Sequence, residues 1–344
     1  MDSESDLTKN AVRPHNVARR PWRFSVSSPS VRTRAQWHDF AKRAESLGYD
    51  VLYVADHTTY IDPLAVCAAV AQATTRLKVG TLVLNAGLYH PLLLARTAAT
   101  VQLLTDNRLE LGLGAGWAKA EHDALGVAFG SRRERVDLLV ESLHLVRAAL
   151  RGDPIVATAH FPVTQESAPP GPLEVVPPLV IGGFGERLLR ACAPLADVIQ
   201  LTGLGDDNQG ALRVDDSSTA GFATRVGWIR QATGERFADI ELSVLVQRLV
   251  VTTDAIATAD ATATVAGEFG VTPDRVADSP TIAVGTVEEI VAKFRRLERE
   301  LGITHVTVFA PAMDEFAPVI DHLRPKNPLR SVGAAPTRER PTSP

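Results

Sequence analysis

The sequence predicts an α/β protein built as a (β/α)8 barrel, the TIM-barrel architecture. From residue 22 to residue 323, eight strand-like segments alternate with helix-like segments, as consecutive βα units do. The strand over Lys78–Leu84 is almost wholly apolar, which is typical of a parallel strand covered on both faces. A doubly wound open sheet usually carries its glycine-rich turn after the first strand. Here Val26-Ser-Ser-Pro-Ser follows the first strand and the glycines follow the fourth, so the barrel is favoured.

The elements are assigned from apolar periodicity and from helix start and stop residues. Thr33–Gly48 carries apolar residues at helical spacing and ends at a glycine, a common helix stop, whereas Asp62–Thr75 opens with Asp-Pro, a favourable helix start. The predicted strands are Trp22–Ser27, Val51–Ala55, Leu77–Leu84, Leu109–Leu113, Leu179–Ile181, Asp197–Leu201, Ile240–Thr252 and Thr304–Phe309. The predicted helices are Thr33–Gly48, Asp62–Thr75, Pro91–Leu104, Ser131–Leu150, Glu186–Ala193, Thr219–Thr233, Ala255–Gly267, Val287–Leu301 and Met313–Leu323.

The domain organisation follows from the same reading. We expect one barrel domain over residues 21–324, flanked by tails at 1–20 and 325–344 whose polar, aperiodic composition predicts disorder. Two connections, 152–177 and 202–217, are too long for simple turns. We expect them to be insertions near the barrel mouth, at the carboxyl-terminal face, where they would set the choice of substrate.

Composition excludes several classes of function. The chain has 344 residues, 45% of them hydrophobic, and a net charge of -4, which argues against nucleic-acid binding. No apolar run reaches the length of a membrane span, and the polar amino terminus lacks a signal-peptide core. Cys67 and Cys192 match no metal-ligand spacing, so we expect buried free thiols, a cytoplasmic protein and no metal site.

Unusual residues stand at the ends of the predicted strands, where a barrel gathers its chemistry. The fourth strand runs into Gly112, Gly114 and Gly116, and bare backbone there would let a flat ligand lie against the strand end. The fifth strand continues into Gly182-Gly-Phe-Gly185 and a helix, whose free amide groups suit a phosphate. The same glycines would equally serve a tight turn. Asp56-His57 and Asn85 add polar groups after the second and third strands.

A set of short motifs then points to one family. In chain order they are Ala44-Glu-Ser-Leu-Gly-Tyr-Asp50, Val54-Ala-Asp-His57, Asp62-Pro63, Thr74-Thr-Arg-Leu-Lys-Val-Gly-Thr81, His90-Pro91, Arg108-Leu-Glu-Leu-Gly-Leu-Gly-Ala-Gly-Trp117, Ile181-Gly-Gly183 and Val284-Gly-Thr-Val-Glu-Glu-Ile290. With these motifs the chain resembles the bacterial luciferase-like monooxygenase superfamily, and within it the branch that depends on the deazaflavin coenzyme F420. The resemblance implies a barrel that holds a flavin or deazaflavin at the carboxyl ends of its strands.

The resemblance also implies roles for particular residues. His57 would face the ring and could move a proton, with Asp56 as its orienting partner; the alternative is a histidine that fixes the next loop through Asp56. Tyr60 and Tyr89 are further candidates for the proton. A cis peptide bond between Leu82 and Val83 is expected behind the ring. The implied cofactor contacts are Asp56, His57, Leu82, Val83, Asn85, Ala115, Gly116, Trp117, Gly182, Gly183, Phe184 and Gly185.

The chain departs from some relatives at the site. Trp117 stands where sugar-phosphate dehydrogenases of the group carry a glutamate, so sugar-phosphate oxidation is not expected; a core aromatic is the other interpretation of Trp117. Glu121, four residues further on, is interpreted as an acid at a helix start. The loop Asn85-Ala-Gly-Leu-Tyr89 and the helix end Val101-Gln-Leu-Leu-Thr105 also differ from close F420-dependent relatives, which leaves both the substrate and the cofactor open.

The expected function is therefore an F420-dependent oxidoreductase that transfers a hydride between the deazaflavin C5 and a small organic substrate such as a secondary metabolite. One alternative is a reduced-FMN, oxygen-dependent monooxygenase, which would need a flavin reductase as partner. A second alternative is a barrel that binds a flavin or deazaflavin without turnover. A homodimer is expected from the resemblance and from the wide apolar coverage of residues 64–71 and 92–104.

Overall fold

The computed structural model of the chain describes residues 20–28, 32–163, 172–206, 212–214 and 217–324. The predicted disorder of the two tails lies outside these residues, apart from Arg20 at the edge of the first. The described strands are β1 Arg23–Ser28, β2 Val51–Val54, β3 Lys78–Thr81, β4 Leu84–Asn85, β5 Leu109–Gly114, β6 Leu179–Gly183, β7 Val198–Leu201, β8 Leu204–Asp206, β9 Leu212–Val214, β10 Glu241–Val246, β11 Arg248–Val251, β12 Ile282–Gly285 and β13 Ile303–Phe309.

Eight parallel strands close into a barrel, which confirms the predicted fold class. Around the barrel the order is β1, β2, β3, β5, β6, β7, β10 and β13, and the ring closes because β13 pairs with β1 and β3 pairs with β5. Each of these strands lies within one of the eight segments predicted from the sequence or extends it by a few residues. The parallel arrangement brings all eight carboxyl ends to one face, which becomes the barrel mouth.

The helices lie between successive strands, and three of them begin with a capping box formed by residues that are recognisable in the sequence. Thr33, Ser131 and Thr286 each accept a hydrogen bond from the third backbone N–H of a helix, and a glutamine or glutamate there returns the bond. The described helices are α1 Arg34–Ser46, α2 Pro63–Ala71, α3 Pro91–Leu104, α4 Lys119–Leu125, α5 Arg132–Arg151, α6 Glu186–Cys192, α7 Thr219–Thr233, α8 Ala255–Phe269, α9 Pro273–Asp278, α10 Val287–Leu301 and α11 Met313–Leu323. The short helix α9 was not predicted, and for α4 only a helix start at Glu121 was, without a range.

The prediction of one long strand over Ile240–Thr252 was wrong. The segment divides at Gln247 into β10, which belongs to the barrel, and β11, which pairs with β12 in a separate two-stranded sheet. The backbone N–H of Gln247 donates to the carbonyl of Thr281 at 2.7 Å, just before β12. From this point the backbone pairs with β12 instead of with a barrel strand. Apolar residues continue through the break without glycine or proline, and for this reason periodicity could not reveal it.

The two long connections lie in different places. The segment 202–217 begins directly after β7, at the mouth, and its residues 207–211 and 215–216 lie outside the described residues. Residues 152–177 instead join the end of α5 to the start of β6, so both ends of this segment lie at the opposite face, and the expectation of a mouth insertion was wrong for them. Part of the segment lies along the outside of the barrel, because the centroid of the Phe161 ring is 5.6 Å from that of His90, the residue before α3.

The interior of the barrel is charged at its amino-terminal end. Arg23 on β1 reaches Glu110 on β5 at 2.6 Å and Glu241 on β10 at 2.7 Å, and neither strand neighbours β1, so these side chains cross the barrel. Lys78 contacts Glu110 at 3.0 Å, and His305 contacts Glu241 at 2.8 Å. The apolar core lies outside this layer, between the strands and the surrounding helices.

Candidate active site

The third strand changes direction at a cis peptide bond between Leu82 and Val83, the position expected from the family resemblance. β3 ends at Thr81, and β4 resumes at Leu84 beside β5. Thr81 ties this bend to β5, because its hydroxyl donates to the carbonyl of Gly112 and accepts from the N–H of Gly112, both at 2.9 Å.

The glycines of the fourth strand accommodate this bend. A Cβ atom on Gly112 would lie 1.9 Å from the carbonyl oxygen of Thr81, and one on Gly114 would lie 2.5 Å from a methyl group of Val83. The space beside these two glycines is therefore filled by the neighbouring strand, and the expectation that it is left open for a flat ligand was wrong. The glycines act on the site indirectly, because they allow Leu82 and Val83 to reach the mouth, where both remain half-buried.

His57 lies just beyond β2 and is held by Glu121, which was interpreted from the sequence as an acid at a helix start. Its Nδ1 donates to Glu121 Oε1 at 2.6 Å, with 27% of the His57 side chain and 16% of the Glu121 side chain exposed. The rings of Tyr60 and Trp117 stand nearly perpendicular to the imidazole, with centroids 5.3 Å and 5.8 Å away. Both aromatic side chains are exposed, so Trp117 is not a core aromatic.

Asp56 is not the partner of His57, contrary to expectation. One of its carboxylate oxygens accepts from the backbone N–H of Asn85 at 3.0 Å, and the other accepts from the Tyr89 hydroxyl at 3.2 Å. Burial raises the pKa of Asp56 above its ordinary value, and the nearby Glu121 carboxylate adds to this effect, although the bonds from Asn85 and Tyr89 oppose it. Asp56 thus joins the ends of the second and third strands.

Asn85 is used within the protein. Its Oδ1 accepts from the N–H of Gly87 at 3.1 Å, and its Nδ2 donates to His122 Nε2 at 2.9 Å. His122 Nδ1 lies 3.1 Å from the carbonyl oxygen of Ala128, which can only accept, so the tautomer with its proton on Nδ1 fits both contacts of this ring. Gly116 has φ +76, and a Cβ there would lie 2.3 Å from Asn85 Oδ1, so this glycine makes room for the amide.

The helix α4 brings together the residues that sequence reasoning missed. Glu121 and His122 are consecutive on it, and they bind His57 and Asn85 respectively. Arg135, at the start of α5, donates from Nε to the carbonyl of Gly116 at 3.1 Å and fixes the backbone before Trp117. Glu121 was placed at a helix start from the sequence, but that helix was not extended, so the bonds that Glu121 and His122 make were missed.

The turn after β6 is shaped partly by packing. A Cβ on Gly183 would lie 2.6 Å from a methyl group of Leu188, whereas one on Gly185 would meet open space. Glu186 turns to Arg190, with which it forms an ion pair at 2.7 Å, so its charge is compensated. Buried Arg225 donates to the carbonyl of Phe184 at 3.3 Å. The helix α6 that follows has seven residues.

A flat ligand can be accommodated at the rim of the mouth, just beyond the strand ends, better than beside the strands themselves. The strands are buried, whereas half-buried residues follow at the ends of the third, fourth and fifth barrel strands, and Gly185 has free space beside it. The half-buried residues are Leu82, Val83, Ala115, Gly116, Gly182, Phe184 and Gly185. Within the described ranges no group of three metal-binding side chains occurs, and no helix has the length and apolar character to cross a membrane.

Comparison with known proteins gives the chain relatives of two kinds. The family model of the luciferase-like monooxygenases matches residues 20–305. The chain is 35% identical to an F420-dependent glucose-6-phosphate dehydrogenase of Amycolatopsis mediterranei over 124 residues, 33% of this chain and 37% of that protein. It is 32% identical to the 4-hydroxyprotoasukamycin monooxygenase of Streptomyces nodosus subsp. asukaensis over 124 residues, 34% of this chain and 33% of that protein.

Among solved structures, an F420-dependent secondary alcohol dehydrogenase in complex with an F420–acetone adduct superposes with a TM-score of 0.67. The match is 18% identical and covers 89% of this chain and 99% of that chain, so it supports the fold. The chain spans only part of the length of the curated relatives that it matches. It covers 60% of an uncharacterized protein of Mycobacterium tuberculosis and less of the two enzymes named above.

Proposed function

The chain belongs to the luciferase-like monooxygenase family, and on that premise we propose that it is an oxidoreductase that uses coenzyme F420 to transfer a hydride to or from a small organic substrate. The observation that carries the proposal is the imidazole of His57, held by Glu121 at the barrel mouth and in contact with two exposed aromatic rings. When bound, a deazaflavin would supply or accept the hydride at its C5.

The proposed cofactor site is the rim of half-buried residues at the strand ends. Leu82 and Val83 would support the ring from below, and the turn around Gly185 would receive the phosphate end, where Arg225 lies near the backbone. Asp56 and Asn85 would act by holding this wall together, since their side chains are engaged with other residues of the protein. The proposed cofactor contacts are His57, Leu82, Val83, Ala115, Gly116, Trp117, Gly182, Gly183, Phe184 and Gly185, with Asp56 and Asn85 as the supporting residues behind them.

His57 is the proposed proton-transfer group. Reduction of a carbonyl or an activated double bond needs a proton as well as a hydride, and His57 Nε2 makes no hydrogen bond to any described residue. Tyr60 lies beside it and is the second candidate. Tyr89 is a poorer one, because its hydroxyl already donates to Asp56 and because burial, with the Asp56 charge, raises its pKa well above the ordinary value.

The aromatic rings favour an uncharged, flat or apolar substrate. Trp117 and Tyr60 present exposed ring surface on two sides of His57, and the exposed Leu125 lies at the end of the same α4 helix. This chain has Trp117 at the position where related sugar-phosphate dehydrogenases carry a glutamate, so it lacks that carboxylate. We therefore do not expect this chain to oxidise a sugar phosphate, despite its 35% identity to such an enzyme over 124 residues.

A reduced-FMN monooxygenase is the second candidate, and the identity to the 4-hydroxyprotoasukamycin monooxygenase favours it. Such an enzyme would need a flavin reductase to deliver the reduced cofactor. The two candidates share the rim and His57, because either cofactor presents a flat tricyclic ring and a phosphate. A barrel that binds its ligand without turnover is the third outcome.

The deciding experiment is a fluorescence titration of the purified chain with F420 and with FMN, each oxidised and reduced. We expect binding of F420 and weak binding of FMN. The variant Gly185→Val should lose binding with little change in melting temperature, because a Cβ there has no protein atom within 4 Å apart from its chain neighbours and the backbone, with φ -75, accepts valine.

The control variant is Gly267→Val, which adds the same side chain to open space on the exposed face of α8. It should bind like the wild-type chain. Tighter binding of reduced FMN, or incorporation of labelled dioxygen into a product, would establish the monooxygenase alternative. Failure to bind either cofactor would refute the proposed function.

A further inference from the structure

Glu121 has a fixed place at the mouth that does not depend on His57. The helix α4 is held by the bond between Asn85 Nδ2 and His122 Nε2 at 2.9 Å. The backbone that leads into α4 is held by Arg135, which donates to the carbonyl of Gly116 at 3.1 Å. The position of the Glu121 carboxylate is therefore set by α4 and the backbone before it, and the His57 imidazole is oriented by its bond to that carboxylate.

The geometry leaves His57 little freedom. An ionised carboxylate only accepts hydrogen bonds, so Glu121 Oε1, at 2.6 Å, keeps the proton of the neutral imidazole on Nδ1. The rings of Tyr60 and Trp117 lie at 88° and 78° to the imidazole plane and pack against it edge to face. Nε2 is then the nitrogen that remains for a bound molecule.

No other acid among the described residues is placed to do this. Asp56 is next to His57 in sequence, but both of its oxygens are occupied, one by the backbone N–H of Asn85 and one by the Tyr89 hydroxyl. Asp123, on the same helix, pairs with Lys119 at 2.6 Å on the exposed side. The assignment of Glu121 as a mere helix-start acid does not explain a carboxylate turned toward an imidazole 64 residues away in the chain.

We propose that Glu121 is the positioning residue of this site: it holds His57 with the proton on Nδ1 and with Nε2 directed to the bound ligand. The inference rests on the proposed function for its consequence in turnover, but the positioning itself does not need a cofactor. A carboxylate behind an imidazole also favours the protonated ring that forms when Nε2 takes up a proton. Glu121 would thereby act through His57 rather than on the substrate.

The test is nitrogen-15 NMR of histidine-labelled full-length chain, with the His57 signals assigned by loss in His57→Gln. In the wild-type chain near pH 8 we expect a protonated Nδ1 and an unprotonated Nε2. Glu121→Ala should reverse or mix the two nitrogen shifts. Glu121→Gln should keep the proton on Nδ1, because the amide oxygen still accepts, but it lacks the charge that favours the protonated ring.

The turnover assay is done on the holoenzyme with the cofactor that the titration identifies. Both Glu121 variants should lower kcat by at least about 10-fold and leave the cofactor Kd within about 2-fold, as expected when a residue behind a reacting imidazole is lost. In Glu121→Gln the pH profile of kcat should also move, which a purely structural role would not cause. Asp123→Asn is the matched control, since it removes a carboxylate from the same helix on the exposed side and should change neither reading.

The outcomes separate the two proposals. A wild-type His57 protonated on Nε2, or unchanged His57 shifts in Glu121→Ala, would overturn the positioning role. A Glu121→Gln variant with wild-type kcat and an unmoved pH profile would also overturn it. If the NMR result holds and the chain binds neither F420 nor FMN, the proposed function fails while the positioning of His57 by Glu121 stands.

Discussion

The substitution Glu110→Gln should strongly destabilise the barrel without touching the mouth. Glu110 is 0% exposed and lies inside the barrel, where it accepts from Arg23 at 2.6 Å, from the Tyr53 hydroxyl at 2.6 Å and from Lys78 at 3.0 Å. Burial alone would raise the pKa of this carboxyl, but Arg23, Lys78 and Tyr53 outweigh burial and hold its pKa below the ordinary value. Glu110 is therefore ionised at neutral pH.

The magnitude follows from what is left behind. A glutamine keeps the shape and can still accept from Tyr53, but the half-buried guanidinium of Arg23 then faces Glu241 alone, and the partly exposed Lys78 loses its partner. Removing one partner from a fully buried ion pair costs about 3–5 kcal/mol, and because Arg23 keeps Glu241 and Lys78 is partly exposed we expect the lower end of that range, about 3 kcal/mol. Native domains are stable by about 5–15 kcal/mol, so the variant should fold but unfold much more easily.

The measurement is urea unfolding at pH 7 followed by circular dichroism, with the free energy of unfolding obtained by linear extrapolation. Glu268→Gln is the control: Glu268 pairs with Arg248 at 3.0 Å on the surface, with side chains 42% and 44% exposed, and its loss should cost less than about 1 kcal/mol. If Glu110→Gln unfolds within about 1 kcal/mol of the wild-type chain, the charged layer does not hold the barrel together and the reasoning is refuted.

Three further predictions concern acid, packing and assembly. Burial alone would raise the pKa of Glu241, but His305 and Arg23 outweigh burial and lower this pKa from 4.5 to about 2. The stability that the group adds is therefore complete above pH 4.5 and is lost as pH falls toward 2, a loss of about 3 kcal/mol. In Glu241→Gln the melting temperature should depend less on pH between pH 5 and 3, as thermal scans would show. Gly116→Ala should lower the melting temperature and cofactor affinity together, because its Cβ would lie 2.3 Å from Asn85 Oδ1 at a backbone φ of +76; equal melting curves would contradict this. The chain should form a homodimer by light scattering at micromolar concentration, since Leu93, Leu103 and Leu104 of α3 are exposed; a monomeric mass would exclude it.

The sequence predicted the barrel well because its strands and helices carry local signals. Apolar runs of strand length, helix caps such as Thr33 and stop residues such as Gly48 each act within a few residues, and eight such units closed as expected. The break at Gln247 was missed because it is decided by competition from β12, about thirty-five residues further along the chain. Similarly, nothing local marks Arg23 and Glu110 as an ion pair inside the barrel, since they lie on different strands.

The candidate site divides in the same way. His57 and the bend at Leu82–Val83 were identified through motifs, which the resemblance supplied. The partner of His57 was not, because the contact to Glu121 depends on how α4 docks, and α4 docks through His122 and Arg135. The adjacent Asp56 was the natural choice from sequence and was wrong as a partner, since its oxygens are occupied by Asn85 and Tyr89.

The two ends of the barrel carry separate tasks, and this separation has a measurable consequence. The charged layer lies at the amino ends of the strands, with Arg23 and Lys78 each the first residue of its strand, whereas His57 and Glu121 lie beyond the carboxyl ends. No side chain of the layer bonds to either of these two residues. Substitutions without shared partners usually add within about 0.5 kcal/mol, so Glu110→Gln combined with Glu121→Gln should lose the stability of the first and the turnover of the second, each unchanged in size. A larger departure would mean that the floor of the barrel and its mouth are coupled, through the polar column in which Ser25 bonds both His305 and Thr307 at 2.9 Å and 2.6 Å.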